Sequence, residues 1–560
     1  MALKKSELYS SLWKSCDELR GGMDASQYKD YVLVLLFVKY VSDKYAGDRD
    51  ALIDVPAGGG FTDMVAAKGS KEIGDRINKI IGKLADANDS PTGGLKGAID
   101  LADFNDEEKL GKADAMVQRL TKLVAIFEGL DFGGNRAEGD DLLGDAYEYL
   151  MRHFATESGK SKGQFYTPAE VSRIMSMVID LGKASHAAQS IYDPTCGSGS
   201  LLLKAHDEAK SRTGLDLALY GQEMDNATSA LARMNMVLHD CPTAEVWQDN
   251  TLSHPHFKNA DGKLKTFDFV VANFPFSVKS WTSGLDPAND LYGRFDYGIP
   301  PAKNGDYAFL LHILASLKST GKGAVIHPHG VLFRGGAEAV IRKNLVRRGF
   351  IKGIIGLPAN LFYGTGIPAC ILVLDKEGAA GRAFGNGGIF MVDASKGFIK
   401  DGNKNRLRAQ DIHKIVDSFT RQLETPKYSR MVPLAEIEAN DSNLNLPALH
   451  RQHRTGRRAG YRGAPRGRHP ERRHRRPCRL LAGLPQYPGT TFLFPPLQGE
   501  GWGGDGVESR RLQPTQGRSQ PDQSRHLRPR RIYRLQPDGD VPVRRMESRQ
   551  HPAAHRHPDR

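Results

Sequence analysis

The first part of the chain carries apolar residues at the spacing of α-helices. They recur every three or four positions across Leu12–Leu19, which places them on one helix face. A capping-box pattern at Asp24–Gln27 predicts a helix over Tyr28–Tyr45, and the same periodicity predicts another over Leu142–Phe154. We therefore predict a helical domain over residues 1–155, either a partner-binding or DNA-clamping domain or a plain cap on the domain that follows.

From about residue 190 onward, short apolar runs alternate with helical segments. The first predicted strand ends at Asp193, the second near Glu223, and a later one just before Asn273. After residue 305 the pattern predicts further helices and strands over Tyr307–Leu317, Ala324–His327, Ala337–Arg347, Gly353–Leu357 and Ala369–Leu374. Strand–helix alternation is typical of an α/β domain with a mostly parallel sheet, which we predict over residues 156–447.

The composition changes abruptly after Pro447. Residues 448–560 hold 25 Arg, no Lys and 9 acidic residues, a charge of +16; the whole chain carries +13, so residues 1–447 carry −3. This Arg-rich tail fits a nucleic-acid-binding segment, a disordered solvated segment, or a change of reading frame. We favour the last, because Arg without Lys is what out-of-frame translation of a GC-rich gene tends to give.

The remaining composition limits where the protein works. Hydrophobic residues make up 39% of the chain, and the longest apolar run, Val32–Val38, is far shorter than the roughly 18 residues of a membrane span. The N-terminus has no signal-peptide pattern. Five scattered cysteines without a Cys-x-x-Cys pair argue against disulfides and zinc. We expect a cytoplasmic protein with no membrane contact and no metal site.

The strongest candidate for chemistry is the strand Phe267–Ala272 and the break that follows it. The strand stops at Asn273-Phe274-Pro275-Phe276, because Pro275 has no N–H for the sheet. Ligands of open α/β sheets bind at the carboxyl ends of strands. There, the Asn273 amide oxygen and the Phe274 carbonyl can accept both N–H bonds of a base amine, and Phe276 can stack on a flipped base. An ordinary proline turn fits this short pattern as well.

A second candidate is the glycine-rich turn after the strand that ends at Asp193. The stretch Gly197-Ser198-Gly199-Ser200 allows close backbone approach to a ligand. It lacks the full dinucleotide fingerprint, and Asp193 would repel a pyrophosphate but suits a cationic amino group. Glu223, ending the next strand, can accept both hydroxyls of a ribose. Cys196 we interpret as a buried filler, since no His lies nearby in sequence.

Three further segments flank these candidates. In Gln164-Phe165-Tyr166-Thr167-Pro168, Thr167 is expected to cap the helix Val171–Asp180, with Pro168 at its first position. After the third strand, either Asp249 or Asn250 can bond the adenine amine of a cofactor, and a solvated turn fits equally well. The Gly/Asp/Pro-rich loop 278–305 is either an adenine-side or DNA-facing loop or a surface insertion.

Together, and in this order, these motifs resemble those of amino-methylating DNA methyltransferases of the adenine-N6 group. More specifically, the chain resembles the modification (M) subunit of type I restriction-modification systems from about residue 8 to 447. The segments that carry this closer resemblance are Leu12–Gly21, Leu142–Leu150, Gly305–Leu310, Gly330–Gly336, Ile355–Phe362 and Asn440–Pro447.

The resemblance implies a Rossmann-like, seven-stranded mixed sheet that depends on S-adenosyl-L-methionine, behind a helical domain. It implies methyl transfer to adenine N6 in DNA, and assembly of two M subunits with one specificity (S) subunit and, optionally, restriction (R) subunits. It assigns cofactor binding to Gln164–Pro168, Ser198–Ser200 and Glu223, and the flipped adenine to Asn273–Phe276.

One residue departs from the family pattern, which commonly has Pro at the position of Phe274. The carbonyl acceptor is kept, so we expect activity to be retained. The alternatives left open are a frame-shifted chain that binds cofactor but does not assemble, and a methyltransferase acting on cytosine N4 or on a protein glutamine. The long helical N-terminal block disfavours the protein substrate.

Overall fold

The computed structural model describes residues 5–20, 23–90, 94–132, 150, 167–362, 366–383, 387–402 and 404–445. Apart from Leu150, the predicted helix Leu142–Phe154 therefore lies outside the described residues. So do the predicted domain boundary at residue 155 and the tail 448–560, and all three stay predictions.

The N-terminal part is helical, as the apolar periodicity predicts. Its helices are α1 (Lys5–Leu19), α2 (Ala25–Tyr45), α3 (Phe61–Ala66), α4 (Ile73–Ala87), α5 (Glu107–Leu110) and α6 (Asp114–Glu128). The backbone N–H of Asp24 donates to Gln27 Oε1 at 3.1 Å, so one arm of the predicted capping box forms and α2 starts three residues earlier than expected. Within the described ranges, no helix is both long and apolar enough to cross a membrane.

The second part alternates strands and helices around one large sheet. Its strands are β1 (Ser190–Asp193), β2 (Ala218–Glu223), β3 (Glu245–Gln248), β4 (Phe267–Ala272), β5 (Leu317–Pro328), β6 (Ile351–Gly356), β7 (Ala369–Asp375), β8 (Gly388–Asp393), β9 (Ile399–Asp401), β10 (Lys404–Arg406) and β11 (Ser429–Pro433). Its helices are α7 (Ala169–Val178), α8 (Ser200–Thr213), α9 (Asn226–Leu238), α10 (Asp306–Ala315), α11 (Ala337–Arg347), α12 (Ala379–Ala383), α13 (Ala409–Thr420) and α14 (Leu434–Ala439).

The main sheet has nine strands in the order β11-β8-β6-β7-β5-β4-β1-β2-β3, so the predicted count of seven is wrong. The seven predicted strands, β1 to β7, do form one continuous block, in which β7 runs antiparallel to both neighbours. The two additional strands extend it at the β6 side, where β8 pairs with β6 in parallel and β11 pairs with β8 antiparallel. They cover a sheet edge that would otherwise expose unpaired backbone groups.

Apolar side chains fill both faces of the sheet. Along β4, Phe269 and Val271 belong to one core, whereas Val270 and Ala272 belong to the other, as the two-residue period of a strand requires. A strand buried on both faces reads as a continuous apolar run, which is why this segment is recognisable in the sequence.

Helix α9 connects the helical domain to the sheet. Ala232 and Met236 face the sheet core, while Leu231 and Met234 join the core of the N-terminal helices. The Arg233 guanidinium also donates to the carbonyl of Gly94 at 2.8 Å. The helical domain thus packs onto the α/β domain through a helix that is buried on two sides. Both predicted roles of the helical domain, a plain cap or a partner-binding or DNA-clamping domain, stay predictions.

Candidate active site

One cavity lies where the central parallel strands end. Its volume is about 470 Å³, and its walls include Asp193 at the end of β1, Glu223 at the end of β2, Asn250 after β3 and Asn273 after β4. Strands β2 and β4 pair with β1 on opposite sides, so the order in which successive strands are added to the sheet reverses at β1. This is the position at which open α/β sheets bind their ligands.

The glycine-rich turn forms the floor of the cavity. Gly197 lines it, and the backbone N–H of Gly197 donates to Glu223 Oε2 at 3.0 Å. Gly199 has φ of +80°, and a Cβ there would lie 2.6 Å from the Met236 methyl group, so both conformation and packing require glycine. Ser200 lines the cavity, whereas Ser198 and Gly199 are not among its lining residues.

Two buried carboxyl groups make the cavity attractive to a cation. Asp193 is 1% exposed, and burial, with a smaller contribution from nearby Glu223, raises its pKa to about 8. Burial also raises the pKa of Glu223. Among the residues that the structure describes, no Lys, Arg or His forms an ion pair with either group. A positively charged ligand would stabilise the ionised carboxylates and so offset part of this desolvation penalty.

The Asn273 side chain is held in one orientation. Its amide nitrogen donates to Thr167 Oγ1 at 3.0 Å, and its amide oxygen receives no hydrogen bond from any described residue. The prediction that Thr167 caps the following helix is wrong: Pro168 occupies the cap position of α7, without a side-chain cap bond. The Thr167 hydroxyl is instead engaged by Asn273, a partner far away in sequence.

The other residues of the tip divide between the cavity and the core. Pro275 lines the cavity. The Phe274 ring is buried and stacks on the Phe309 ring, with 4.9 Å between the ring centroids and 13° between the ring planes. The His327 ring packs edge-to-face against Phe274, also with 4.9 Å between centroids. The half-buried Phe276 packs against both sheet cores and is not among the cavity walls, so its stacking on a base stays a prediction.

The choice between Asp249 and Asn250 is informed by their positions. Asn250 lines the cavity, and its side-chain oxygen accepts the backbone N–H of Leu252 at 2.9 Å. The Asp249 carboxylate accepts the N–H of Asn250 and stands outside the lining residues. Cys196 is buried and also lines the cavity, and burial raises the pKa of its thiol well above the usual range; a thiol kept neutral in this way suits a filler better than a nucleophile, and that role stays a prediction. Gln164, Phe165 and Tyr166 lie outside the described residues.

The loop 278–305 is part of the site, and the prediction of a mere surface insertion does not hold. Trp281 is 2% exposed, lines the cavity, and donates from its indole nitrogen to the Pro301 carbonyl at 2.8 Å. Arg294, 1% exposed, pairs with Asp290 and donates to the Leu252 carbonyl at 2.8 Å, which fastens the loop to the cavity wall.

The sequence analysis did not name several wall residues as candidates. They are Pro194, Thr195, Leu201, Met224, Asp225, Thr251, Leu252, Val278, Ser280, Ser283 and Phe309. Val278, Ser280 and Ser283 belong to the predicted loop 278–305 and Phe309 to the segment Gly305–Leu310, whereas the others lie close in sequence to the predicted strand ends and the glycine-rich turn. The loop itself was predicted from its Gly, Asp and Pro content, and nothing in the pattern marked Trp281 as a wall residue.

This fold and site define a class of protein, an α/β methyltransferase with an Asn-x-Pro-aromatic tip, and comparisons with known proteins refine it. The sequence profile of the N-6 DNA methylase family matches residues 138–457, and that of the HsdM N-terminal domain matches residues 8–127. The MpnII type I restriction enzyme methylase subunit of Mycoplasma pneumoniae is 31% identical over 79% of this chain and 89% of its own length.

More distant relatives and solved structures agree. The EcoKI methylase subunit of Escherichia coli is 26% identical over 67% of this chain and 68% of its own. The crystal structure of a type I methyltransferase subunit from Streptococcus thermophilus matches with a TM-score of 0.68 and 32% identity, over 79% of this chain and 99% of that one. The chain therefore belongs to the N-6 DNA methylase family and, within it, to the methylase subunits of type I restriction enzymes.

Proposed function

We propose that this adenine-specific DNA methyltransferase binds S-adenosyl-L-methionine in the 470 Å³ cavity and methylates adenine N6 at a DNA site chosen by a specificity subunit. The observation that carries the proposal is the Asn273 amide, whose nitrogen is held by Thr167 at 3.0 Å. Because the nitrogen is engaged, the amide oxygen is the group available to an incoming amine.

The cavity residues suit the cofactor. Asp193 supplies a buried carboxylate for a cationic amino group, and Glu223 supplies one for ribose hydroxyls. Backbone N–H groups of Gly197 and Asp225 already bind the two oxygens of Glu223, at 3.0 and 2.9 Å, and fix their direction. When bound, S-adenosyl-L-methionine supplies a methyl group on a sulfonium sulfur. Asn250 is our choice for the adenine amine, because it lines the cavity.

The tip residues act by orienting the target amine. An exocyclic amine is a weak nucleophile because its lone pair is delocalised into the ring. Hydrogen bonds from its two N–H groups to the Asn273 amide oxygen and the Phe274 carbonyl would localise the lone pair and aim it into the cavity, and Phe276 would stack on the flipped base. Positioning of this kind can supply several kcal/mol, and it requires no covalent enzyme intermediate.

The charge of residues 1–447 favours DNA binding that is shared with partners. Residues 1–447 carry −3, whereas binding to DNA phosphates relies on Lys and Arg. We infer an assembly of two copies of this chain with one specificity subunit, to which restriction subunits can add. In that assembly the specificity subunit supplies sequence recognition and most of the DNA contacts.

The test is methyl transfer from labelled S-adenosyl-L-methionine to DNA by the full chain co-expressed with its specificity subunit. We expect label in adenine N6, lost in Asn273→Ala but kept in Asn259→Ala, which removes an exposed asparagine of a remote loop. Cofactor binding by Asn273→Ala should persist. Label in cytosine, or none in a native complex that binds both cofactor and DNA, would refute the proposal.

A further inference from the structure

The backbone immediately after the tip is held in an uncommon conformation. Ser277 has φ of +55°, in the left-handed region that non-glycine residues seldom adopt and that costs of order 1 kcal/mol or more. Its backbone N–H donates to Asp306 Oδ1 at 2.6 Å. A hydrogen bond to a charged acceptor of this length is strong, so it can hold Ser277 in a conformation that it would otherwise leave.

Asp306 is itself fixed from the other side. It is the first residue of α10 and is fully buried. Its second oxygen accepts a hydrogen bond from the guanidinium of Arg334. Arg334 also donates from Nε to Glu338 Oε2 at 2.6 Å, and Glu338 is 2% exposed. The tip is therefore joined to a chain of three charged side chains, none of which lines the cavity.

Asp306 and Arg334 themselves have no role in the proposed chemistry described above. Asp306 belongs to Gly305–Leu310 and Arg334 to Gly330–Gly336, two motifs that the sequence analysis singled out. A buried ion pair contributes little net stability, because desolvation offsets most of its attraction. The ion pair instead fixes the position of the Asp306 carboxylate, and with it the backbone N–H of Ser277, which follows Asn273-Phe274-Pro275-Phe276.

We propose that Asp306 and Arg334 are positioning residues for methyl transfer, which hold Ser277 and thereby fix the direction of the Phe274 carbonyl and the Asn273 amide. The inference rests on the proposed function. Without the tie, Ser277 relaxes toward ordinary backbone angles and the acceptors shift. A displacement of about 1 Å at reacting groups costs about 100-fold in rate. Cofactor binding, which we assign to Asp193, Glu223 and Asn250 near the ends of β1, β2 and β3, is expected to be unaffected.

The structure offers a closely matched control. One oxygen of Asp375 also accepts a hydrogen bond from a backbone N–H, that of Gly378, at 3.0 Å. The other oxygen accepts one from the guanidinium of Arg382 at 3.2 Å. Asp375 is the last residue of β7 and pairs with Lys322 of β5. Because β7 is antiparallel to β5, Asp375 lies at the end of the sheet opposite the carboxyl ends of the parallel strands, away from the cavity. Asp375→Ala therefore removes the same kinds of interaction away from the site.

The experiment uses the full chain with its specificity subunit and DNA whose recognition site has been mapped by sequencing methylated DNA. Three quantities are measured: the single-turnover rate at saturating cofactor and DNA, the cofactor Kd, and the fluorescence of 2-aminopurine placed at the target adenine. We expect Asp306→Ala to slow transfer about 100-fold with unchanged cofactor Kd and unchanged fluorescence increase. Asp375→Ala should lower the melting temperature but keep the native rate.

Asp306→Asn keeps the shape and one acceptor oxygen, so it carries the test if Asp306→Ala does not fold. It leaves Arg334 without its charged partner, and we expect transfer to slow about tenfold. A native rate in both Asp306 variants, or an equal slowing in Asp375→Ala, would overturn the inference. A native complex without any transfer would instead refute the proposed function, before any variant is compared.

Discussion

Cofactor binding should release a proton from Asp193. Burial raises its pKa to about 8, so about nine-tenths of the carboxyl groups are protonated at pH 7 and nearly all at pH 6. An adjacent cation lowers a carboxyl pKa by about 1–3 units below its ordinary value. The α-amino group of the cofactor, with an ordinary pKa of about 8, is already charged at pH 6. Binding at pH 6 should therefore release about one proton.

The same linkage fixes the direction of the pH dependence. The cofactor binds the deprotonated form of Asp193, whose population rises about tenfold per pH unit below its pKa. Cofactor affinity should thus rise about tenfold from pH 6 to pH 7. In the empty protein the sign for stability is opposite: a raised carboxyl pKa stabilises the fold at low pH, and this contribution is lost as the pH rises from about 4 toward 8.

Isothermal titration calorimetry in two buffers of different ionisation enthalpy measures the released protons directly. The slope of the observed enthalpy against the buffer enthalpy should correspond to about one proton at pH 6. Asp193→Asn, which keeps the shape of the side chain, should bind more weakly and abolish the slope. Native binding without proton release, or an unchanged slope in Asp193→Asn, would show that Asp193 does not face the cationic group.

Three further predictions concern the tip and its surroundings. Thr167→Val removes the acceptor of the Asn273 amide and should slow transfer about tenfold, whereas Thr167→Ser should keep the native rate. His327 is fully buried with a pKa lowered by burial to about 4. Because the unfolded state binds the proton more tightly, the free energy of unfolding should fall by about 3 kcal/mol as the pH drops from 6.5 to 4. In urea unfolding, the free energy of unfolding of His327→Leu should fall by about 3 kcal/mol less than that of the native protein over the same pH range. Phe274→Pro keeps the carbonyl but loses the stack on Phe309. Folded molecules should transfer at a near-native rate, while the unfolding free energy falls by about 3 kcal/mol.

The elements of the α/β domain were largely predictable, because buried strands leave unbroken apolar runs. Helix α11 has the predicted bounds Ala337–Arg347, and β1 and β4 end at Asp193 and Ala272, next to the predicted site. The positions of Asp193, Glu223 and Asn273 around one cavity follow from the rule that parallel strands present their carboxyl ends together.

The contacts that could not be predicted from the sequence are those between residues far apart along the chain. Thr167 stands where a helix cap is expected, yet Asn273, 106 residues away, takes its hydroxyl, and no local rule anticipates that competition. Likewise, β8 and β11 join the sheet because the outer edge of β6 is open, a property of the assembled sheet. Trp281 and Arg294 belong to a loop that is polar by pattern, and only packing reveals that both are buried and that Trp281 lines the cavity.

The network around the tip also bears on the Arg-rich tail. Arg342 donates to the carbonyls of Ser442 and Arg334, at 2.7 and 2.9 Å, and the N–H of Leu444 donates to the Leu332 carbonyl at 2.9 Å. The last described segment thus closes on the turn that carries Arg334, and it does so before Pro447, where the composition changes. A change of reading frame after Pro447 would leave these contacts, the tip and the cofactor cavity intact. That hypothesis therefore predicts a chain that binds cofactor with native affinity and fails in assembly, and the nucleotide sequence around codon 447, translated in the other two frames, tests it.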